Sequence, residues 1–423
     1  MKSAQKTVQV YLDGPVPGQP FAMGELHAQS SSGSEIFSFE YDSAWLKREE
    51  TFEFDPDLQL VTGPQYPAQT RNNFGIFLDS APDRWGRVLM QRRENLRARE
   101  EARRPRRLSE WDYLLGVHDE TRLGALRFRS PDTGVFLDND DELAAPPLTS
   151  LRELQTASLG FERHIDEEAH PEYARWLRRL IAPGSSLGGA RPKASVRDEG
   201  GKLCIAKFPS KSDSRDMGAW EMLASRLAGK CGIAVPAARV LRLGENAYST
   251  FLVRRFDRSE QDGRIAFVSA MTLTRKRDGE EGGSYLDLVE LLQRQGANTL
   301  ADTHQLYRRI AFSVLIHNTD DHLRNHGFFV GSAGIRLSPA YDLNPSVDRD
   351  ELTLTIDETQ SLCDIEVVRS AHNFYELSLA AADAIITEVQ GAVATWKTEA
   401  TALGLSRAEQ AGMADAFQTK TSF

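Results

Sequence analysis

Thirteen residues, HNTDDHLRNHGFF at 317–329, gather three histidines, two aspartates and two asparagines directly after the apolar run IAFSVLI. Three chemistries compete for so dense a polar group: a metal site of His and Asp, the catalytic loop of a phosphotransferase, and an ordinary polar helix end. His322 and His326 are four apart, and His317 lies five before His322. An HxxxH pair on a helix can hold zinc. HExxH is absent, however, and Gly327 with the strand after it leaves little helix beyond His322. No third ligand stands at a motif spacing. His317 and His326 read better as hydrogen-bonded loop residues than as ligands.

Asp320 and Asn325 carry a sharper signal. Their D-x-x-x-x-N spacing is the one at which protein kinases hold a base aspartate and a metal-binding asparagine. One short loop must aim a carboxylate at a substrate hydroxyl and an amide oxygen at Mg2+. The hairpin pattern GFFVGSAGIRL and then SPAYDLN follow, which puts Asp342 where a second metal-binding aspartate would lie, between the phosphates. Upstream, Lys207 ends the strand pattern KLCIAKF on a face shared with Leu203 and Ile205. Burying an ammonium is costly, so it needs a partner. Nucleotide phosphates are one partner; snorkelling to water is the other solution. Glu221, on the next predicted helix, is one acid that can steady Lys207. The stretch SSLGGARPK at 185–193 offers unobstructed backbone N–H groups of the kind phosphate oxygens need. It is no Walker A loop, and taken alone its glycines mark a turn equally well.

These residues need elements to hold them. VQVYLDG, FSFEYD and ALRFRS read as strands, and 74–104 as helix broken near Pro82. Residues 1–140 form an expected small α+β domain, closed by the acidic, Pro-rich linker DNDDELAAPPLTS. Two helices, LRELQTASLGFERHI and PEYARWLRRLI, precede the Gly-rich stretch. KASVRD, the turn EGG and KLCIAKF predict a hairpin, RDMGAWEMLASRLAGK a helix and STFLVRRF a strand. Beyond residue 284 the chain reads as mostly helical with one hairpin. The order is that of a bilobal nucleotide-binding kinase: an N-lobe over 141–260 and a helical C-lobe over 261–423, an α+β fold overall.

Bulk composition narrows the class. The chain has 423 residues, 40% of them hydrophobic and 26% charged, which suits a soluble globular protein of two or three domains. The start lacks the apolar core of a signal peptide, and no apolar run reaches the ~20 residues that span a bilayer. A cytoplasmic protein without a membrane partner is expected. Three scattered cysteines argue against a disulfide framework. A net charge of −10 does not suit a protein that coats nucleic acid. The exception is 92–107, with eight arginines and three glutamates. It reads best as a solvated helix face with internal ion pairs, though clustered arginines also suit an acidic partner or DNA.

Six ordered motifs together resemble the HipA family, the kinase toxins of bacterial toxin–antitoxin modules. SLGGARPK resembles its S-x-x-G-[AG]-x-x-K phosphate loop and IAKFP its lysine strand. WEMLASRLAGKCGIAVP is similar to the following helix and Val-Pro turn, and LVRRFDR to the V-x-R-F-D-R hinge. NTDDHLRN resembles the T-D-G-H-x-x-N catalytic loop, and SPAYDL the P-x-Y-D metal segment. FLDSAPDRWGR and HDETRLGALRF also look like N-terminal family segments.

The resemblance implies a Mg2+/ATP-dependent serine/threonine protein kinase. Gly188, Gly189, Ala190, Arg191, Pro192 and Lys193 would cradle the ATP phosphates, with Lys207 pairing to them. Arg254, Arg255 and Phe256 would form the adenine hinge, mainly through backbone groups. Asp320 would be the catalytic base. His322, Asn325, Tyr341 and Asp342 would face the nucleotide, with Asn325 and Asp342 on Mg2+. Ser186 matches the family's autophosphorylated serine, with Ser185 beside it; phosphate there adds close to two negative charges and would inactivate the enzyme. The implied partners are a HipB-like DNA-binding antitoxin, operator DNA reached mainly through it, and a translation protein such as an aminoacyl-tRNA synthetase as substrate, with growth arrest and persistence as the outcome. Two departures stand out. The family's Gly after the catalytic aspartate is Asp321, which can raise the pKa of Asp320, join the metal shell or face solvent. Arg254 opens the hinge where acidic residues also occur. Two other classes remain: a HipA-like subunit serving mainly antitoxin-dependent DNA binding, and a small-molecule kinase.

Overall fold

The computed structural model describes residues 5–14, 20–31, 34–140, 144–181, 189, 191–244, 248–277, 279–280 and 282–417. The chain divides into two compact units. One comprises Met1–Ser212, Arg254–Val268 and Phe329–Ser332; the other comprises Asp213–Val253, Ser269–Phe328 and Ala333–Phe423.

The first unit opens with a four-stranded antiparallel sheet of order β3-β2-β1-β4, built from β1 (Lys6–Leu12), β2 (Phe21–Ser31), β3 (Ser34–Tyr41) and β4 (Leu126–Arg129). Alternation puts Val8, Val10 and Leu12 on its buried face. Phe39, Phe77 and Phe128 meet there with centroids 5.7 and 6.0 Å apart. The break expected near Pro82 is found: a short helix ends at Asp79, and a second spans Arg84–Glu100. Asp83 caps this second helix, its Oδ1 accepting the Gly86 N–H at 2.7 Å. Trp85 and Leu89 on its buried face pack with Phe161, Tyr173 and Leu177 of the helices Leu151–Arg163 and Tyr173–Ile181.

Four of the eight arginines of 92–107, on the helix Arg84–Glu100 and just beyond its end, are ion-paired. Arg92 meets Asp166 and Glu168, Arg99 meets Glu168, Arg103 meets Glu94 and Glu101, and Arg106 meets Asp112. The expected internal pairing is met by Arg103, and by Arg106 at 3.9 Å from Glu94, while the other partners lie outside 92–107 and the helix itself stops at Glu100. The predicted hairpin follows as β5 (Lys193–Arg197) and β6 (Leu203–Lys207), antiparallel, with Lys193 opposite Lys207.

A clamp of buried charge joins two stretches of this unit that lie far apart in sequence. Asp257 is fully buried and accepts from Arg255 Nε at 2.7 Å, Arg258 Nη1 at 2.7 Å and the Gly124 N–H at 2.8 Å. Arg255 also donates to the Thr121 carbonyl at 2.6 Å, and Arg258 to those of Glu120 and Arg122 at 2.8 Å. Burial alone would raise the Asp257 carboxyl; the two guanidiniums hold it well below the usual range.

The second unit begins with the helix Met217–Lys230, capped by Asp216, which also accepts from the Ser249 N–H and hydroxyl at 2.9 and 2.7 Å. A Cβ on Gly218 would lie 2.3 Å from the Ser249 carbonyl oxygen, so only glycine permits this approach. β7 (Ala238–Leu241) and β8 (Thr250–Arg254) pair antiparallel. The helices Tyr285–Gln295, Thr299–Leu315, Leu379–Val393 and Trp396–Ala402 build the rest, with Trp220, Trp396 and Phe417 stacked together. The mostly helical expectation beyond 284 fails over 338–364, where no helix or regular strand occurs.

Candidate active site

The polar stretch begins at the end of the buried helix Thr299–Leu315. His317 adopts a left-handed backbone, φ +48°, while its N–H and that of Asn318 close back on the Val314 and Ser313 carbonyls at 3.2 and 2.8 Å. This is a Schellman-type stop. His317 Nδ1 donates to the Ala416 carbonyl at 3.0 Å. His317 is therefore a structural cap, as the loop reading expected.

The two adjacent aspartates then point to opposite environments. Asp320 is exposed. Asp321 is buried and accepts from Tyr285 OH at 2.6 Å, His326 Nε2 at 2.8 Å and Ser313 Oγ at 3.2 Å. Burial pushes its carboxyl up, but His326 and these hydrogen bonds prevail and hold it below the ordinary value. Asp321 therefore neither faces solvent nor turns toward a metal shell, which corrects those readings of it. It anchors the loop from beneath. The same pairing explains His326, whose ring also sits edge-on to Tyr285 at 5.6 Å.

Asn325 donates its amide N–H to the Asp320 carbonyl at 3.1 Å, which leaves its oxygen as the end able to meet a cation. The segment carrying Asp342 is tied to this loop at two points. Tyr341 OH donates to the Arg324 carbonyl at 2.7 Å, and the Asn344 N–H donates to Asn318 Oδ1 at 3.0 Å. Asp342 itself is left-handed, φ +58°, and accepts from Asn344 Nδ2 at 3.0 Å. Non-glycine residues in that region carry strain of the kind that collects at functional sites. Asp320, Asn325 and Asp342 thus belong to one hydrogen-bonded assembly. Asn318 and Asn344, which complete it, were not singled out from sequence; an asparagine two residues before Asp320 and another two after Asp342 was the available signal.

Among the described residues, no three His, Cys, Asp or Glu side chains converge as a zinc site requires. One carboxylate and one amide oxygen, completed by phosphates and water, suit Mg2+ instead. His322 is half-buried, and its Nδ1 is enclosed without a hydrogen-bond partner among the described residues.

The candidates expected to bind nucleotide, 188–193, Lys207 and 254–256, fall in the first unit. Ser185, Ser186, Gly188 and Ala190 lie outside the described residues. Gly189 is left-handed, φ +55°. Pro192 is buried, with its carbonyl accepting the Phe208 N–H at 2.9 Å, while Arg191 is half-buried beside it. Lys207 is half-buried at the end of β6. Lys193 is buried, with its ammonium 2.7 Å from Asp83 Oδ2. In the hinge segment Arg254 pairs with Glu260 at 2.9 Å, and Phe256 packs on Phe267 and Phe329. Arg255 has its side chain in the Asp257 clamp and its N–H on the Leu203 carbonyl at 2.9 Å. Its carbonyl is the group it can offer a base.

Residues 185–396 match the model of the HipA-like C-terminal domain, half of the chain. The chain belongs to the HipA-like family. Its relatives carry kinase and toxin names. Y4mE of Sinorhizobium fredii, provisionally named a kinase, is 24% identical over 82% of this chain and 79% of its own. Toxin YjjJ of Escherichia coli is 28% identical over 39% of each. The HipA-like fold extends through the N-terminal half: the Shewanella oneidensis HipA structure, solved with HipB and operator DNA, aligns over 97% of this chain and 94% of its own with a TM-score of 0.65 at 18% identity. The kinase-like α+β fold expected from the motif order is therefore the fold found. No described helix is long and apolar enough to cross a membrane.

Proposed function

We propose that this HipA-like protein is a Mg2+/ATP-dependent serine/threonine protein kinase, the toxin of a HipB-like toxin–antitoxin pair. The observation that carries the reading is the outward Asp320 held beside Asn325 and the Asp342 segment by one hydrogen-bond network. Asp320 would accept the proton of the acceptor hydroxyl. Asn325 and Asp342 would hold Mg2+, which neutralises phosphate charge when bound. Lys207 would pair with phosphates from β6, and residues 254–256 would receive the base through backbone groups. Phosphoryl transfer needs mainly positioning and charge neutralisation, and these groups are suited to both.

By family resemblance the substrate is a translation protein such as an aminoacyl-tRNA synthetase, and Ser186 is the site of self-inactivation. The partner is a small DNA-binding antitoxin that makes most of the operator contact, in keeping with the chain's net charge of −10. Incubation with radiolabelled ATP and Mg2+, alone and with cell lysate, beside Asp320→Asn, tests this. Label on a lysate protein that Asp320→Asn abolishes is the expected result. Wild-type protein that labels nothing refutes the kinase reading, and label found only in a metabolite moves the enzyme to the small-molecule kinases. Ser186→Ala should abolish self-labelling and spare lysate labelling.

A further inference from the structure

Lys193 and Lys207 are directly opposite in the β5–β6 pair, so both side chains leave the same face of the hairpin, and like charges so placed repel. The chain resolves the conflict by taking Lys193 inward. Its side chain is 2% exposed, with Nζ 2.7 Å from Asp83 Oδ2 and 3.2 Å from the Gly189 carbonyl. Asp83 is 3% exposed, and its other oxygen caps the helix Arg84–Glu100 through the Gly86 N–H at 2.7 Å. One carboxylate thus ties together a helix start, a buried lysine and, through that lysine, the left-handed Gly189 of the Gly-rich stretch.

We propose that the Asp83–Lys193 pair is a latch. It fixes Gly189 to the start of the helix Arg84–Glu100, and Lys193 is a positioning residue instead of a phosphate ligand. The inference rests on the nucleotide-binding reading above for its consequence, though not for its geometry. A buried lysine held by a buried carboxylate and a carbonyl is a poor mobile ligand, because releasing it strands the carboxylate in the interior.

Asn is as good a helix cap as Asp, so Asp83→Asn removes the charge and keeps the cap. Because it also strands Lys193, the deciding variant is Asp83→Asn with Lys193→Met, which removes both charges at once. Two readouts are needed: affinity for a fluorescent ATP analogue with Mg2+, and hydrogen exchange of the peptide containing Gly189 in nucleotide-free protein. The latch predicts that the double variant exchanges faster in that peptide and binds the analogue about tenfold more weakly, the loss of one charge-assisted contact. It also predicts that Lys193→Met alone is no milder than the double variant. A double variant with wild-type exchange overturns the latch, as does Asp83→Asn binding the analogue more tightly, which would make Asp83 a competitor of phosphate. Wild-type protein that fails to bind the analogue counts against the nucleotide reading and leaves the exchange result to decide the latch.

Discussion

Replacing Asp321 by alanine, or by the family's glycine, should damage both stability and turnover. The carboxylate is fully buried and accepts three side-chain donors, Tyr285 OH, His326 Nε2 and Ser313 Oγ, at 2.6, 2.8 and 3.2 Å. Each buried donor left unmatched costs about 1–3 kcal/mol. Members of one network are not additive, so leaving the three donors unmatched together costs roughly 3–5 kcal/mol. For a unit of this size that is a melting temperature lower by roughly 6–20 °C. The same loss frees the loop that aims Asp320, so kcat should fall by more than the affinity for ATP. Asp321→Asn keeps the volume but sets an amide N–H against donors, and should be intermediate. Calorimetry with initial-rate kinetics on the three variants is the check. Wild-type melting and wild-type kcat in Asp321→Gly would refute the anchoring role and return Asp321 to an incidental departure from the family pattern. The pH dependence has a definite sign. The folded carboxyl lies below its ordinary value, so its stabilisation is complete above the unfolded value of about 3.9 and is lost as pH falls through the lower folded one.

A second carboxylate should behave in the opposite way. Burial pushes Asp55 up to about 6, so the folded state binds the extra proton and stability falls as pH rises from about 4 to 6; melting curves across that window should lose this slope in Asp55→Asn. Asp257→Asn should destabilise the first unit by roughly 3–5 kcal/mol, because Arg255 and Arg258 keep their burial and lose their counter-charge; a chemical denaturation curve unshifted from wild type would contradict the clamp.

What was legible in sequence was local. The break at Pro82, the hairpin KASVRD–EGG–KLCIAKF and the helix after Asp216 each declare themselves through turn chemistry, alternation or capping within a dozen residues. The D-x-x-x-x-N spacing likewise located the loop on its own evidence. What was hidden depended on partners far along the chain. Asp321 takes its meaning from Tyr285, 36 residues earlier. Lys193 takes its meaning from Asp83, 110 residues earlier. The guanidinium of Arg255 likewise belongs to Asp257 and to the distant carbonyls of Thr121 and Arg122, partners that the V-x-R-F-D-R pattern does not announce. The irregular path over 338–364 was missed for a different reason: Leu352, Leu354 and Ile356 are buried at a strand-like alternating period, yet the segment makes only isolated bridges, Ser284 with Thr355 and Glu351 with Leu362.

The Asp257 clamp also bears on how such a chain can be shortened or recombined. Four main-chain carbonyls and one N–H of the segment 120–124 terminate a cluster of two guanidiniums and a carboxylate set in the stretch 255–258. Cutting the first 140 residues away would leave two interior cations facing one anion, with their carbonyl partners gone. The N-terminal portion is thus no detachable accessory to a free-standing phosphotransferase. Insertions, fusions and domain exchanges that separate 120–124 from 254–258 should yield insoluble protein, whereas a backbone break between these two segments that keeps both pieces present leaves every one of these bonds available to re-form.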